Sequence, residues 1–492
     1  MPTTRIHPPA KPPAAFSADS LWAIPQPLPD AADRLRSLAQ AIEADLEVLS
    51  YPSRHWDYSR DAATLEVAIV GAGYSGKSVA FGLMRHGIRR ICIFDRCPAG
   101  QEGPWRTYAR NATLRTPKEV TGGLDWGIPN LNFRRWCAAR YGDDYWQGIR
   151  YIPRLLWAEY LDWYSTTLDL PLQHETAIQN IVWQEAAQCF LLQGQRQGQS
   201  VEYRARFVVL ATGMESAGGR RVPTIVQQNL PGHCYHHTMD DIDFARFAGK
   251  RIVVVGGGAS AFDNALCALH AGAAAVDMVI RRSHLPNINR IRWSEWNGYH
   301  RHYIDLPDGM KWYYSLEELR LGQLPPSHTY YQTVSHPNFT LYTSAPVQQL
   351  RYEQGQIVGL YGDRPLSHDA LICGTGFHID IDRQPELQTL APHIVRWRDR
   401  FQPPPHEAHA EMANYPYLGK SLELQPTSED HHYLRRCYYL PCGATLLSGF
   451  RANLSGLQFA LPRVTYDIGR QLFLEHQDEI KKSFEQYNVQ EY

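Results

Sequence analysis

A repeated glycine pattern is the feature that most restricts how this chain can fold. Residues 66–80 read EVAIVGAGYSGKSVA, and residues 250–263 read KRIVVVGGGASAFD. In the first, Gly71-x-Gly73-x-x-Gly76 follows the apolar run LEVAIV. Beyond it Val79/Leu83 and Ala80/Met84 repeat at helical spacing, and Gly87 supplies a stop. A second apolar run, RRICIFD, ends at Asp95, 19 residues after Gly76. In the second copy Gly256-x-Gly258-x-x-Ala261 follows IVVV. Ala265, Leu266 and Leu269 share a helical face, Gly272 ends it, and AAVDMVIRR gives the next strand. First glycine and stop glycine lie 16 positions apart in both copies. Each copy is strand, tight turn, helix, strand, which demands a parallel sheet and a right-handed crossover. The expected fold class is α/β with two dinucleotide-binding, Rossmann-like domains.

The first copy also spells a P-loop, Gly71-x-x-x-x-Gly76-Lys77-Ser78. Two observations favour the dinucleotide alternative. An acid stands where a ribose needs an acceptor, and the second copy has no Gly-Lys-Ser. Lys77 is then expected on the exposed first turn of a helix. The candidate cofactor contacts are Gly71, Gly73, Tyr74, Ser75 and Gly76 at the first turn, and Gly256, Gly258, Ala259, Ser260 and Ala261 at the second. Their helix N-termini offer free N–H groups to a pyrophosphate. Asp95, with Arg96 beside it, suits the free ribose of FAD. The equivalent second position is Ile280, followed by Arg281 and Arg282. These arginines suit the 2′-phosphate of NADPH, each charge-assisted bond contributing about 1.5–3 kcal/mol, roughly a tenfold to hundredfold preference over NADH. The competing role is a pair of solvated surface charges.

Composition excludes other classes. The 49 basic and 50 acidic residues give a net charge of −1, with no like-charge block suited to nucleic acid or a membrane surface. No apolar run reaches membrane-spanning length. The Pro-rich start, MPTTRIHPPAKPPAAF, lacks an apolar signal core and is expected as a disordered or surface-hugging arm. The nine cysteines, an odd number, then point to a reducing, cytoplasmic compartment. Cys92/Cys97 and Cys437/Cys442 are spaced Cys-x4-Cys, and Cys92 is best explained as a buried small hydrophobe within a strand. The absence of Cys-x-x-Cys counts against a thioredoxin-type reductase. HEAH at His406–His409, HHTMD at 236–240 and DHH at 430–432 lack metal-site spacing, so no metal is expected.

Further segments carry a family resemblance. GPWR at Gly103–Arg106, LRTPKE at Leu114–Glu119, LATG at Leu210–Gly213, CGTGF at Cys373–Phe377, YPYLG at Tyr415–Gly419 and SGFRANLSGLQFALPR at Ser448–Arg463 resemble the class B flavin-dependent monooxygenase superfamily. That superfamily includes the flavin-containing, N-hydroxylating and Baeyer–Villiger monooxygenases. Its linker motif is matched in part by Leu230-x-Gly232-x-x-x-His236, with Asp240 where an aromatic is expected. The resemblance spans about residues 64–470. It implies an FAD- and NADPH-dependent enzyme that inserts one atom of O2 into a small organic substrate by way of a flavin hydroperoxide. N-hydroxylation of an amine is favoured by the C-terminal segments, with Baeyer–Villiger or sulfur oxygenation as alternatives. It also implies that Trp105, Thr116 and Gly376 lie against the cofactors. Where the flavin-containing members carry an Asn near the oxygen-reacting face, this chain has Arg115. Arg115 can stabilise a developing anion as a catalytic residue, anchor a substrate carboxylate, or simply pair with Glu119. An NADPH-consuming flavin oxidase or dehydrogenase and a nucleotide-sensing regulatory protein are the other classes left open. The expected partners are a small-molecule substrate and O2, with no nucleic acid, no membrane, and at most further copies of the chain in a homo-oligomer.

The expected organisation is an N-terminal arm and helix over 1–60, a first FAD-binding part over 61–215, an inserted NADPH-binding domain over 216–366, and a second FAD-binding part over 367–492. In the arm, Leu35, Leu38, Ile42, Leu46 and Leu49 line one helical face. The Trp- and Tyr-rich stretch 130–166 is a candidate wall for a substrate pocket, against plain packing. In NLSGLQ, Ser455 and Gln458 suggest a capping box facing the flavin, and Pro462 is expected to limit the helix that follows.

Overall fold

The computed structural model describes residues 4–6, 24–53, 56, 63–449 and 454–492. The first glycine-rich segment forms β1 (Thr64–Val70), α1 (Tyr74–Arg85) and β2 (Ile91–Phe94). β3 (Thr113–Pro117) and β4 (Gln199–Leu210) follow. The second segment forms β5 (Arg251–Val255), α2 (Ala259–His270) and β6 (Ala275–Val279). Helix α3 (Asn297–His302), β7 (Ala370–Cys373) and α4 (Leu454–Glu475) complete the frame.

In a seven-stranded sheet β2, β1 and β4 run parallel, with Val70 opposite both Phe94 and Leu210. Val67 through Ile69 are fully buried, so both faces of the strand are covered, and this is why the run reads as continuously apolar. A six-stranded sheet has the order 4–6, 339–343, β6, β5, β7, 235–237. All its pairs are parallel except the edge strand 4–6, which extends the N-terminal segment along 339–343. A three-stranded meander over 347–368 packs beside it.

The chain leaves the first sheet after β4 and returns after β7, and the two crossing segments pair with each other. Asp380 N–H donates to the Ala217 carbonyl at 2.7 Å and His378 N–H to that of Gly219 at 2.8 Å. Gly218 lies between them at φ +149°, where a Cβ would stand 2.8 Å from both Asp380 N and His378 O. Arg221 then grips both carboxylate oxygens of Glu411 at 2.6 Å.

Several expectations change. The aromatic stretch forms helices 133–141, 143–148 and 154–167, but Trp136, Trp157, Tyr160 and Tyr164 are at most 1% exposed. Phe133 sits 5.2–5.6 Å from the rings of Trp136, Trp157 and Tyr160, so this belt is core rather than pocket wall. Helix 31–48 docks on that core through Leu38, Ile42 and Leu46, while Leu49 lies beyond its end and is exposed. Ser455 lies inside the first turn of α4. Gln458 Nε2 donates to the Ser455 carbonyl at 2.9 Å, so the expected capping box does not form there. Residues 450–453 of the family-like segment fall outside the described residues. Helix α4 runs through Pro462 to Glu475. The missing N–H is outweighed by burial of Val464, Ile468 and Leu472, and Thr465 Oγ1 donates to the Pro462 carbonyl. Among the described residues no helix is long and apolar enough to cross a membrane.

The glycines of the first turn differ in a way that can be measured. At Gly71, φ is +107° and a Cβ would lie 2.5 Å from the Ala211 carbonyl oxygen, whereas at Gly73 it would meet nothing within 4 Å. Urea unfolding of Gly71→Ala is expected to show a loss of about 1–3 kcal/mol from backbone strain alone. Gly73→Ala should stay within about 0.5 kcal/mol of the parent protein.

Candidate active site between the two sheets

The first turn forms a cradle of backbone. A Cβ on Gly76 would lie 1.9 Å from the Gly71 carbonyl oxygen, so helix and turn touch directly. Helix α1 starts at Tyr74 with Gly73 as an N-cap that has no side-chain bond, and its first-turn N–H groups have no helical acceptor. The space over Gly73 is open. Asp95 is buried and braces this turn: Oδ2 accepts from Ala72 N–H at 2.7 Å and Oδ1 from Cys97 N–H at 2.8 Å. Each carboxylate oxygen retains a second acceptor site, so the brace leaves capacity for a ribose hydroxyl. Open glycine, free helix N-terminus and buried acid fit the pyrophosphate and ribose of FAD.

Nearby candidates divide. Gly103 lies against the turn, its Cβ position 3.8 Å from Gly73 Cα, and the half-buried Trp105 follows with its carbonyl bonded by Arg154. Ser75 is half-buried and Thr116 is buried. The ring of Tyr74 turns inward, its hydroxyl donating to the Gly122 carbonyl at 2.6 Å. Arg96 turns outward to Glu215. Lys77 is not on an exposed turn. It is 2% exposed, its ammonium directed to the Leu161 carbonyl at 3.3 Å, and burial lowers its pKa.

The second turn repeats the close approach. A Cβ on Gly256 would lie 2.2 Å from the Gly374 carbonyl oxygen, and one on Gly374 would lie 2.5 Å from Ala261 Cβ, so neither glycine has room for a side chain. Gly258 faces the Gln323 carbonyl at 3.6 Å from its Cβ position, and Ala259 N–H already donates to that carbonyl at 3.0 Å. Ser260 is exposed. Arg281 and Arg282 are exposed at the end of β6, and Arg282 donates to the Leu321 carbonyl at 2.8 Å. Beside them opens a cleft of about 480 Å³ lined by Arg282, Ser283, His284, Asn287 and Arg320.

Polar ties join the two turns. The Gly376 carbonyl accepts from His237 Nε2 at 2.7 Å and from Arg221 N–H at 3.1 Å. His237 Nδ1 accepts from Met239 N–H, which fixes the neutral Nε2–H tautomer, and burial holds its pKa below the usual imidazole range. Sequence pattern pointed to His236; its neighbour makes the bond. Arg115 pairs with Asp263 Oδ2 at 2.7 Å, not with Glu119. Asp263 lies on α2 and is 3% exposed; burial raises its carboxyl pKa, and Arg115 opposes that rise. The ion pair therefore ties β3 of the first sheet's side to the second turn's helix. Asp263 was invisible as a partner because 148 residues separate it from Arg115.

Residues 68–296 match the family described as pyridine nucleotide-disulphide oxidoreductase. The chain is 36% identical over 463 residues to an FAD-dependent urate hydroxylase of Xanthomonas campestris, which covers 93% of this chain and 97% of that protein. This chain belongs to the class B flavin-dependent monooxygenase superfamily. Two solved monooxygenases share its fold. An ornithine hydroxylase of Pseudomonas aeruginosa is 16% identical with a TM-score of 0.66, over 83% of this chain and 100% of its own. An ornithine N-hydroxylase of Kutzneria sp. 744 is also 16% identical with a TM-score of 0.66, over 83% and 99%. As a class B monooxygenase the chain is an FAD-dependent oxidoreductase that uses NADPH.

The Arg115–Asp263 tie gives a stability test for this monooxygenase. Arg115→Leu leaves a buried carboxylate without its hydrogen-bonded cation and with only the field of Arg154, a loss of up to about 3–5 kcal/mol when Asp263 stays charged. Asp263 carries a raised folded pKa, so protonation relieves the strain: stability of Arg115→Leu should fall as pH rises from 5 to 8 and recover on acidification. Adding Asp263→Asn should restore a large part of the loss at pH 8, measured as a double-mutant cycle in urea.

Proposed function

We propose that the chain is an NADPH- and FAD-dependent monooxygenase that hydroxylates a small planar nitrogen heterocycle of the urate class. The observation that carries this reading is the near-full-length relationship to a urate hydroxylase at 36% identity; the N-hydroxylases share the fold at 16%. When bound, FAD would supply the redox chemistry: it would take two electrons from NADPH and pass them to O2, so that one oxygen atom enters the substrate and the other leaves as water. The chain's own contributions are positional. The Gly71–Gly76 turn and Asp95 would hold FAD, with Trp105 and Thr116 beside it. The Gly256–Ala261 turn would hold NADPH, with Arg281 and Arg282 at its 2′-phosphate. Gly376 would lie against the cofactors, held by the bond from His237.

N-hydroxylation of an amine is the second reading, favoured by the likeness to ornithine hydroxylases. An amino-acid substrate would need a cation for its carboxylate, and Arg115, the candidate for that task, is engaged by Asp263. Baeyer–Villiger or sulfur oxygenation would use the same cofactors. The purified, FAD-loaded protein should consume NADPH with urate and O2, and incorporate one ¹⁸O atom from ¹⁸O2 into product with little peroxide. Peroxide alone with urate, but oxygenated product with ornithine or lysine, would transfer the assignment to the second reading.

The cofactor assignment is tested separately. Arg281→Ala together with Arg282→Ala should cut the preference for NADPH over NADH by roughly tenfold to a hundredfold in KM, leaving NADH use unchanged. Retained preference would remove these arginines from the phosphate site.

A further inference from the structure

The first turn of α4 and the helix α3 packed beside it contain polar atoms that nothing in the fold uses. Both ring nitrogens of His300 are buried and have no hydrogen-bond partner among the described residues, and the residue is 7% exposed. The hydroxyl of Ser455, 1% exposed, is likewise without a partner. Buried polar groups are almost always bonded, and leaving one unpaired costs about 1–3 kcal/mol. Three such atoms close together in the fold call for an explanation.

Their placement supplies one. The His300 ring lies nearly parallel to that of Phe459, with centroids 5.7 Å apart and planes at 16°. Ser455 and Phe459 are four residues apart on α4 and share its face. The neighbouring residue Gln458 backs onto Gly123, where an added Cβ would meet Gln458 Cβ at 2.3 Å and the Tyr74 hydroxyl at 2.6 Å. Tyr74 opens α1 at the first cofactor turn. The unused atoms therefore lie at the end of α4 that packs, through Gln458 and Gly123, against the helix opened by the first glycine turn. On the outer side, the Trp296 carbonyl accepts from His300 N–H, and the indoles of Trp296 and Trp293 are half-exposed and 6.3 Å apart. Aromatic surface thus runs from solvent to His300. Burial shifts this histidine toward its neutral form. A neutral imidazole presents one donor and one acceptor.

We propose that His300 and Ser455 are the polar receptor for the substrate, that they recognise the alternating C=O and N–H edge of a planar heterocycle, that Phe459, stacked on His300 and covered by the Arg301 guanidinium, holds the imidazole in place, and that the nearby indoles flank the heterocycle. This rests on the monooxygenase reading above and deepens it: the site recognises a neutral lactam-like edge rather than a carboxylate or an ammonium group.

The test uses the full-length, FAD-loaded enzyme and urate as the probe. His300→Phe replaces the ring by an apolar one of similar size, which a purely packed position would accept. It is expected to keep the parent's FAD content and Tm, to lose the rise in Tm that urate gives the parent, and to raise the KM for urate at least about tenfold, the consequence of two lost hydrogen bonds. NADPH oxidation should be diverted to peroxide. His300→Gln, which retains a neutral donor and acceptor, should recover most of the urate-dependent Tm rise, and Ser455→Ala should raise KM a few-fold. An unchanged KM, coupling and Tm rise in His300→Phe would overturn the proposal, as would a loss of FAD or fold in both His300 variants. Parent protein that neither binds nor oxygenates urate would instead defeat the functional reading itself, and that result is visible before any variant is made.

Discussion

The structure depends on two places where main chain meets main chain with no room for a side chain. At Gly71 the first turn rests on the Ala211 carbonyl at the end of β4; at Gly256 the second rests on the Gly374 carbonyl at the end of β7. Both supporting residues begin the segments by which the chain crosses between the sheets. Each glycine turn is therefore set against the root of a crossover. Because Ala217, Gly219, His378 and Asp380 bond the two crossovers together, a displacement at one turn is resisted through the other. Backbone contact of this kind is stiff, since neither side has rotamers with which to yield.

Side-chain ties reinforce that frame, and each connects parts of the chain that are distant in sequence. Arg115–Asp263, His237–Gly376 and Arg221–Glu411 span 148, 139 and 190 residues. Two of the three involve a group that is nearly fully buried, where an unpaired partner would be costly. They convert a pair of separately folded sheets into one positioned pair. For a flavin monooxygenase that positioning matters, since hydride transfer needs two bound cofactors in contact with atoms about 3–3.5 Å apart.

What sequence pattern captured was local. Both strand–turn–helix–strand units follow from glycine spacing and apolar periodicity, because the physics that selects Gly71 and Gly256 acts within a few residues and leaves a visible mark. The fate of Arg115 was not legible. Its residue type told that a cation stood near the site, but its partner, Asp263 on α2, is brought to it only by the tertiary fold. The aromatic belt illustrates the same limit from the apolar side: composition cannot distinguish a ring that lines a pocket from Trp157 or Tyr164, which the fold buries completely. Pro462 shows tertiary burial overriding a local breaker, since α4 buries apolar side chains on both sides of it. His300 left no motif at all; it is conspicuous only once burial and bonding are known atom by atom.

The P-loop spelled by Gly71–Ser78 shows why a motif needs its surroundings. A phosphate-binding lysine must project from the turn toward the ligand. Lys77 instead points into the first domain, toward the Leu161 carbonyl. Burial there favours the neutral amine, and the fields of Glu102, Asp162 and Asp95 act against that loss of charge. Glu102 shows the reciprocal effect: its own burial raises the carboxyl, yet Lys77 and the bond from His174 bring it below the usual carboxylate range. The lysine is thus held by an acidic environment on the side of α1 facing away from the open space over Gly73. Ser78 is likewise committed, donating to the Gly123 carbonyl at 3.0 Å. Both residues that would make the turn a nucleotide-triphosphate site are consumed by the interior, and what remains at its mouth is backbone alone, which is what the pyrophosphate of a dinucleotide requires.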